Sequence, residues 1–187
     1  MGKKMEIIAA VDRNWGIGYK NHLLFHSKKD MSCFRQHTLG NIVIMGRKTL
    51  ESFPGGEPLS GRTNIVLTRN GRTEQIKEIG SGYASQDTGT RLIPAGSVEE
   101  ARNLAESFPG KIYIIGGGEI YREFLPLVST AYITQFNSER GADTFFPDLE
   151  ADPEWEQVSA SEEFREGELS FRFCCYERFP SNKSCKM

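Results

Sequence analysis

Residues 111–121 read Lys-Ile-Tyr-Ile-Ile-Gly-Gly-Gly-Glu-Ile-Tyr, and no other stretch restricts the fold so sharply. Ile112 to Ile115 is an unbroken β-branched and aromatic run, the pattern of a strand buried on both faces of a parallel sheet. The run stops at Gly116, Gly117 and Gly118, and helix formers follow from Glu119 to Phe124, up to Pro126. A strand, a glycine turn and a helix start together present bare backbone N–H groups and the positive end of a helix dipole to an anion. Three glycines also clear side chains from the turn, so a flat ring or a pyrophosphate can lie against the backbone. The spacing differs from the dinucleotide fingerprint G-x-G-x-x-G, because Ile120 and Tyr121 stand where small residues belong. A tight turn with nothing bound is the plainer alternative; three consecutive glycines favour a nucleotide site.

The rest of the chain repeats this alternation. Further strands are expected at Glu6 to Val11, Asn41 to Met45, Asn64 to Thr68, Ala131 to Phe136 and Phe171 to Phe179, the last in a hairpin with residues 156–164. Ser27 has the place of a helix N-cap, with Asp30 at the third helical position beside the apolar stripe of Met31 and Phe34. Gly46-Arg47-Lys48-Thr49 opens a short helix, and Ser97 caps another over Val98 to Ser107. Residues 71–91, rich in Gly, Ser, Thr and charge, show no sustained period and read as a long surface excursion. Strands alternating with helices imply an α/β fold, a mostly parallel central sheet flanked by helices with an antiparallel C-terminal strand or hairpin. In such sheets ligands gather outside the carboxyl ends of the strands. The tips at 46–49, 68–69 and 116–119 then form one edge of one cleft, each bringing glycine, hydroxyl or positive charge, and together they point to a phosphate-bearing cofactor.

A length of 187 residues fits one domain, with its core over about 5–179 and a frayed tail at 180–187. With 23 basic and 25 acidic side chains and a net charge of −2, nothing favours nucleic acid or an anionic membrane as a partner. Cys33, Cys174, Cys175 and Cys185 lack metal-ligand spacing, so no metal site is expected and free thiols in a reducing compartment are. Cys174 and Cys175, adjacent in a strand, should face opposite ways. The apolar run Ile7 to Val11 is too short for a secretory signal or a membrane span. A cytoplasmic monomer is the expectation.

Taken in order, seven motifs resemble dihydrofolate reductase from about residue 5 to residue 179: Ile8-Ala9-Ala10, Trp15-Gly16-Ile17-Gly18, Asp30-Met31-x-x-Phe34, Val43 to Thr49, Leu59-x-Gly61-Arg62, Ile115 to Tyr121, and Gly141-x-Asp143 to Pro147. The resemblance implies that family's single-domain fold, with hydride transfer from NADPH to C6 of 7,8-dihydrofolate and a proton to N5. It also implies antifolate inhibitors as ligands. Asp30 would be the ionisable group of the pterin pocket, assisted by Thr134. Ile8, Ala9, Met31, Phe34, Phe53, Leu59 and Ile115 would border the substrate rings, and Arg62, aided by Arg35, would clamp the carboxylate of the glutamate tail. On the cofactor side, Lys48, Thr68 and Arg69 would grip the 2′-phosphate, while Arg47 and Thr49 would hold the pyrophosphate with the backbone of Gly117, Gly118, Glu119 and Ile120. Ala10, Ile17 and Gly18 would border the nicotinamide, and Gly46, Leu67, Ile115, Gly116 and Tyr121 complete the cofactor set. The same resemblance implies a cis peptide between Gly116 and Gly117, and in Asp143 a partner for the lid over the nicotinamide. One departure stands out: Leu24-Phe25 occupies the place of the family's common Pro-Trp, and phenylalanine has no N–H with which to hold a water. The competing readings are a reductase of the same fold acting on another pteridine-like or ribosylated pyrimidine substrate, and a silent NADP-binding module.

Overall fold

The structure, a computed structural model, describes residues 2–68, 73–84 and 89–179. Its first half contains β1 (Met5–Val11), β2 (Gly16–Tyr19), β3 (His22–Leu23), α1 (Lys28–Thr38), β4 (Ile42–Gly46), α2 (Arg47–Ser52), β5 (Thr63–Leu67), α3 (Thr73–Ala84) and β6 (Arg91–Ala95). The second half adds α4 (Val98–Glu106), β7 (Ile112–Gly116), α5 (Gly118–Phe124), β8 (Thr130–Phe136), β9 (Thr144–Phe145), β10 (Trp155–Ala160), β11 (Phe164–Glu166) and β12 (Leu169–Arg178).

The continuous apolar runs become the middle of the sheet. Among the described residues the strand order is β10-β12-β8-β1-β7-β4-β5-β6, with β11 paired to the start of β12. From β8 across to β6 every pairing is parallel, whereas β12 runs antiparallel to β8 and to β10. A small sheet, β3-β2-β9, lies apart from this path. Alternation along each strand supplies two cores. Ile7, Ile44, Ile65 and Ile114 pack against Ala101 and Ala105 of α4 and Ile120 and Phe124 of α5. Ile8, Val43, Met45, Val66 and Ile115 face the other way, against Phe34 of α1, Leu50 of α2 and Ile76 of α3.

One expectation is corrected. Residues 73–84, read as part of a surface excursion, form α3, and residues 91–95 add the edge strand β6. The inward stripe of α3 is Ile76 and Gly80, one turn apart, and a Cβ at Gly80 would sit 2.3 Å from the Leu92 carbonyl oxygen. Glycine here allows close approach of helix to strand; as sequence it resembles a breaker, which hid the period. Cys174 is buried and Cys175 half-buried, facing opposite ways as expected, and Cys33, Cys174 and Cys175 are free thiols. The expected tail at 180–187 lies outside the described residues. No helix among the described residues is long and apolar enough to cross a membrane.

Candidate active site

The carboxyl ends of β4, β5 and β7 open onto one cleft of about 920 Å³. Gly46, Arg47, Lys48, Thr49, Leu67, Thr68, Gly117, Gly118, Glu119 and Ile120 line it, together with Asn21, Arg122, Asp143, Thr144 and Phe145. Each described member of the three expected tips is therefore present, apart from Gly116, which lies buried beneath the turn. The Gly116–Gly117 peptide is cis. Gly116 has φ +108°, and a Cβ there would come within 2.9 Å of the Tyr121 ring, so packing alone demands glycine. Gly117 differs: its Cβ would meet only Thr49 Oγ1, at an ordinary 3.4 Å. Its bareness serves the cleft.

The donor set suits a phosphorylated cofactor. Lys48 contributes an exposed ammonium and Thr49 and Thr68 contribute hydroxyls, while no side chain caps the N-terminus of α2 or α5. Arg47 is ion-paired with Glu51 one turn along its own helix. Arg69, expected at the 2′-phosphate, lies outside the described residues.

β2 and β3, the segment expected to act as a lid, meet this cleft through Asn21 in the turn between them. Ile17 is buried and Gly18 half-buried, and β2 pairs with β9. The Lys20 N–H donates to Asp143 Oδ2 at 2.8 Å, and the Asp143 N–H donates to the Gly18 carbonyl at 3.0 Å. The Lys20 N–H, followed by the Thr144 hydroxyl, holds the Asp143 carboxyl below its ordinary range. Where the lid ends, Phe25 stacks on Phe136 with ring centroids 4.1 Å apart and planes within 10°. Phe171, Phe173, Phe164, Leu24 and Ala10 surround that pair, so Phe25 joins an aromatic cluster built largely by β8, β11 and β12.

The acid pocket begins with a helix cap. Ser27 Oγ accepts the Asp30 N–H at 3.1 Å, which fixes the first turn of α1 and with it the half-buried Asp30 side chain. A cavity of about 200 Å³ is lined by Ile8, Asp30, Phe34 and Thr134, as expected, together with Cys33, His37, Tyr132, Ser159, Phe173, Cys174 and Cys175. Cys33 and His37 follow Asp30 along α1; the other five were illegible from motifs because β8, β10 and β12 bring them from across the sheet. Burial raises the Asp30 pKa; the Thr134 hydroxyl opposes that by favouring the ionised form, and the Glu166 carboxylate adds to the rise. Phe53, Leu59 and Ile115 pack in one cluster with Ile8 and Phe34. Met31 and Arg35 stand exposed on α1. Ala9 is not drawn in by its side chain: it alternates to the opposite face of β1 and packs in the other core.

Two further contacts shape the site. Tyr121, in the first turn after the glycines, donates its hydroxyl to the Ile8 carbonyl at 2.9 Å, so the glycine turn and the acid pocket are tied together. Full burial pushes its hydroxyl pKa far up, which keeps it a donor. Arg62 is buried, with its Nε and one Nη on Thr38 Oγ1 at 3.3 and 3.1 Å and its other Nη on the Ser60 carbonyl at 2.6 Å. Three of the five guanidinium N–H groups are thus committed, and one on each terminal nitrogen remains for a carboxylate. Burial, then the nearby Arg35 charge, lowers the Arg62 pKa, and among the described residues neither cation has an acidic partner.

An open sheet with a phosphate-fit cleft at its carboxyl edge, tied through Tyr121 to a pocket holding one carboxylate, is the arrangement of a small-molecule reductase that takes a nucleotide cofactor. Comparison with known proteins sharpens this. The family model described as "Dihydrofolate reductase" matches residues 4–178. A dihydrofolate reductase of Haemophilus influenzae is 39% identical over 170 residues, covering 90% of this chain and 92% of the relative. The Bacillus subtilis enzyme is 30% identical over 182 residues, covering 96% and 98%. A solved structure, dihydrofolate reductase from Enterococcus faecalis complexed with NADP(H) and RAB-propyl, superposes with a TM-score of 0.75 at 29% identity, covering 94% of this chain and 96% of that one. The chain belongs to the dihydrofolate reductase family. It is an NADPH-dependent oxidoreductase that reduces dihydrofolate to tetrahydrofolate.

Proposed function

We propose that the reduction of 7,8-dihydrofolate is carried out at the Asp30 pocket, with the pterin seated against Asp30 and the glutamate tail held by Arg62. The observation that carries this reading is the state of Asp30: a half-buried carboxylate on a cavity wall, with no cationic partner among the described residues. A charge left unpaired at such a place is matched to a ligand. The carboxylate accepts two hydrogen bonds from the 2-amino and N3 side of the pterin, and the Thr134 hydroxyl orients it. Ile8, Phe34, Phe53, Leu59 and Ile115 give the rings an apolar bed. The two remaining N–H groups of Arg62 take the tail carboxylate as a bidentate pair, with Arg35 adding charge.

Lys48, Thr49 and Thr68, joined by Arg69, would hold the phosphates of NADPH, and the bare backbone of Gly117 would border its pyrophosphate. Bound there, NADPH supplies a hydride from its C4 for C6 of the substrate. The proton for N5 arrives through water, and the negative charge of Asp30 makes the pocket receptive to it. The protein works as a cytoplasmic monomer in one-carbon metabolism, and pterin-like antifolates compete at the same pocket.

NADPH absorbance followed with dihydrofolate present tests the reading, with an Asp30→Asn variant alongside. The variant is expected to lose most turnover at neutral pH and to regain part of it at acid pH, where the substrate needs less help to hold a proton. Equal rates for the two proteins across pH would remove Asp30 from the reaction, and no oxidation by the unmodified protein would sink the activity itself.

A further inference from the structure

A second carboxylate meets the helix that carries Asp30. Glu166, at the end of β11, accepts the Ser27 hydroxyl at 2.7 Å, the Lys28 N–H at 2.7 Å and the Lys29 N–H at 3.2 Å. Ser27 Oγ in turn accepts the N–H of Asp30, so an unbroken line of hydrogen bonds runs from the C-terminal hairpin to the backbone of Asp30. The same strand makes another contact, the Lys29 ammonium lying 3.4 Å from the centroid of the Phe164 ring. We infer that Glu166 is a positioning residue for Asp30: it docks the hairpin on the first turn of α1 and sets the field in which that carboxylate holds a proton. The inference rests on the role of Asp30 proposed above.

Free N–H groups at a helix start stabilise nearby negative charge and draw protons off a first-turn acid. Glu166 occupies those N–H groups with an anion of its own, held ionised by the Lys28 N–H, then by Ser27 and the Lys29 N–H. Asp30 therefore lies near a negative charge where α1 alone would offer a positive one. The other groups facing Asp30 do not compete. His37 on α1 is held toward its neutral form by burial, while Cys33 on α1, Tyr132 on β8, and Cys174 and Cys175 on β12 are all raised by burial, as is Tyr121 on α5. Lys28 and Lys29 are exposed, with Lys28 beside Glu166 and Lys29 over the Phe164 ring. Glu166 is the acidic neighbour that acts on Asp30.

The test is the carbon chemical shift of the Asp30 carboxyl in the ligand-free protein, followed through a pH titration, for the unmodified chain, Glu166→Gln and Glu168→Gln. Glutamine keeps one acceptor oxygen at the helix start and removes the charge together with the second acceptor. Glu168, exposed in the turn before β12, serves as a control of equal charge change. The Asp30 midpoint is expected to move to lower pH in Glu166→Gln and to stay in place in Glu168→Gln. The alkaline limb of NADPH oxidation should move in the same direction. A Glu166→Gln midpoint equal to that of the unmodified protein, or a matching displacement in Glu168→Gln, overturns the inference. The titration needs no turnover, so it is read separately from any failure of the proposed reaction.

Discussion

Asp30 is held in a site that disfavours its ionised form. Burial is the largest cause of its raised pKa, so in the free protein the ionised carboxylate is the strained state. A folded pKa above the unfolded one means that the stability given by the protonated carboxyl is complete at low pH and is lost as pH rises through the folded value. Asp30→Asn carries no charge at any pH. It is therefore expected to melt at a higher temperature than the unmodified protein at pH 7, with the gap closing in acid below the ordinary carboxylate range. Melting curves at both ends check this, and an asparagine protein no more stable at neutral pH would mean the charge is well solvated. The same residue shows what a sequence can disclose about a site. The place of Asp30, three residues after a capping serine, was legible as a first-turn helix acid, while its site role, like that of Arg62, came only from the family resemblance. Thr38, which holds Arg62 through Oγ1, and Glu166, which reaches α1 from the far end of the chain, belong to no local pattern. Local spacing encodes helix position; contacts between distant strands and helices do not repeat along the chain.

Among the elements, those with unbroken apolar runs were readable to within a residue or two, because burial on both faces removes polar residues from the strand. The helix and strand between residues 73 and 95 were not. Gly80-Ser81-Gly82 reads as a break in α3, and Pro94 argues against a strand although β6 is an edge that tolerates it. The two glycines of α3 should respond oppositely to the same substitution. Gly82→Ala meets no described atom within 4 Å and should stabilise by up to about 1 kcal/mol through helix propensity. Gly80→Ala would drive its methyl group into the Leu92 carbonyl, and should cost roughly 1–3 kcal/mol as α3 is pushed off β6. For a chain of this size each 1 kcal/mol is about 2–4 °C in melting temperature, enough for a thermal scan to separate the pair. A shift of the same sign in both would mean that α3 does not approach β6 this closely.

Across the whole molecule, the nucleotide cleft and the acid pocket belong to different parts of the chain. The cleft is walled by loops after β4, β5 and β7, and its lid is fastened by Asp143 to the Lys20 N–H. Asp143→Ala removes that fastening while leaving the cleft lining intact elsewhere. Bound NADPH should then leave faster, as followed by stopped-flow fluorescence; an unchanged release rate would show that the β2–β9 pairing holds the lid without Asp143. The acid pocket depends on more of the chain. Its floor is α1, near the beginning, and one of its walls is β12, which also anchors β10 and β11. During synthesis, at roughly 5–20 residues per second, α1 exists for seconds before β12 has been made. A nascent chain can gather the strands of the nucleotide cleft while its proton-holding pocket still lacks a wall. The pocket around Asp30 is therefore complete only once β12 is in place.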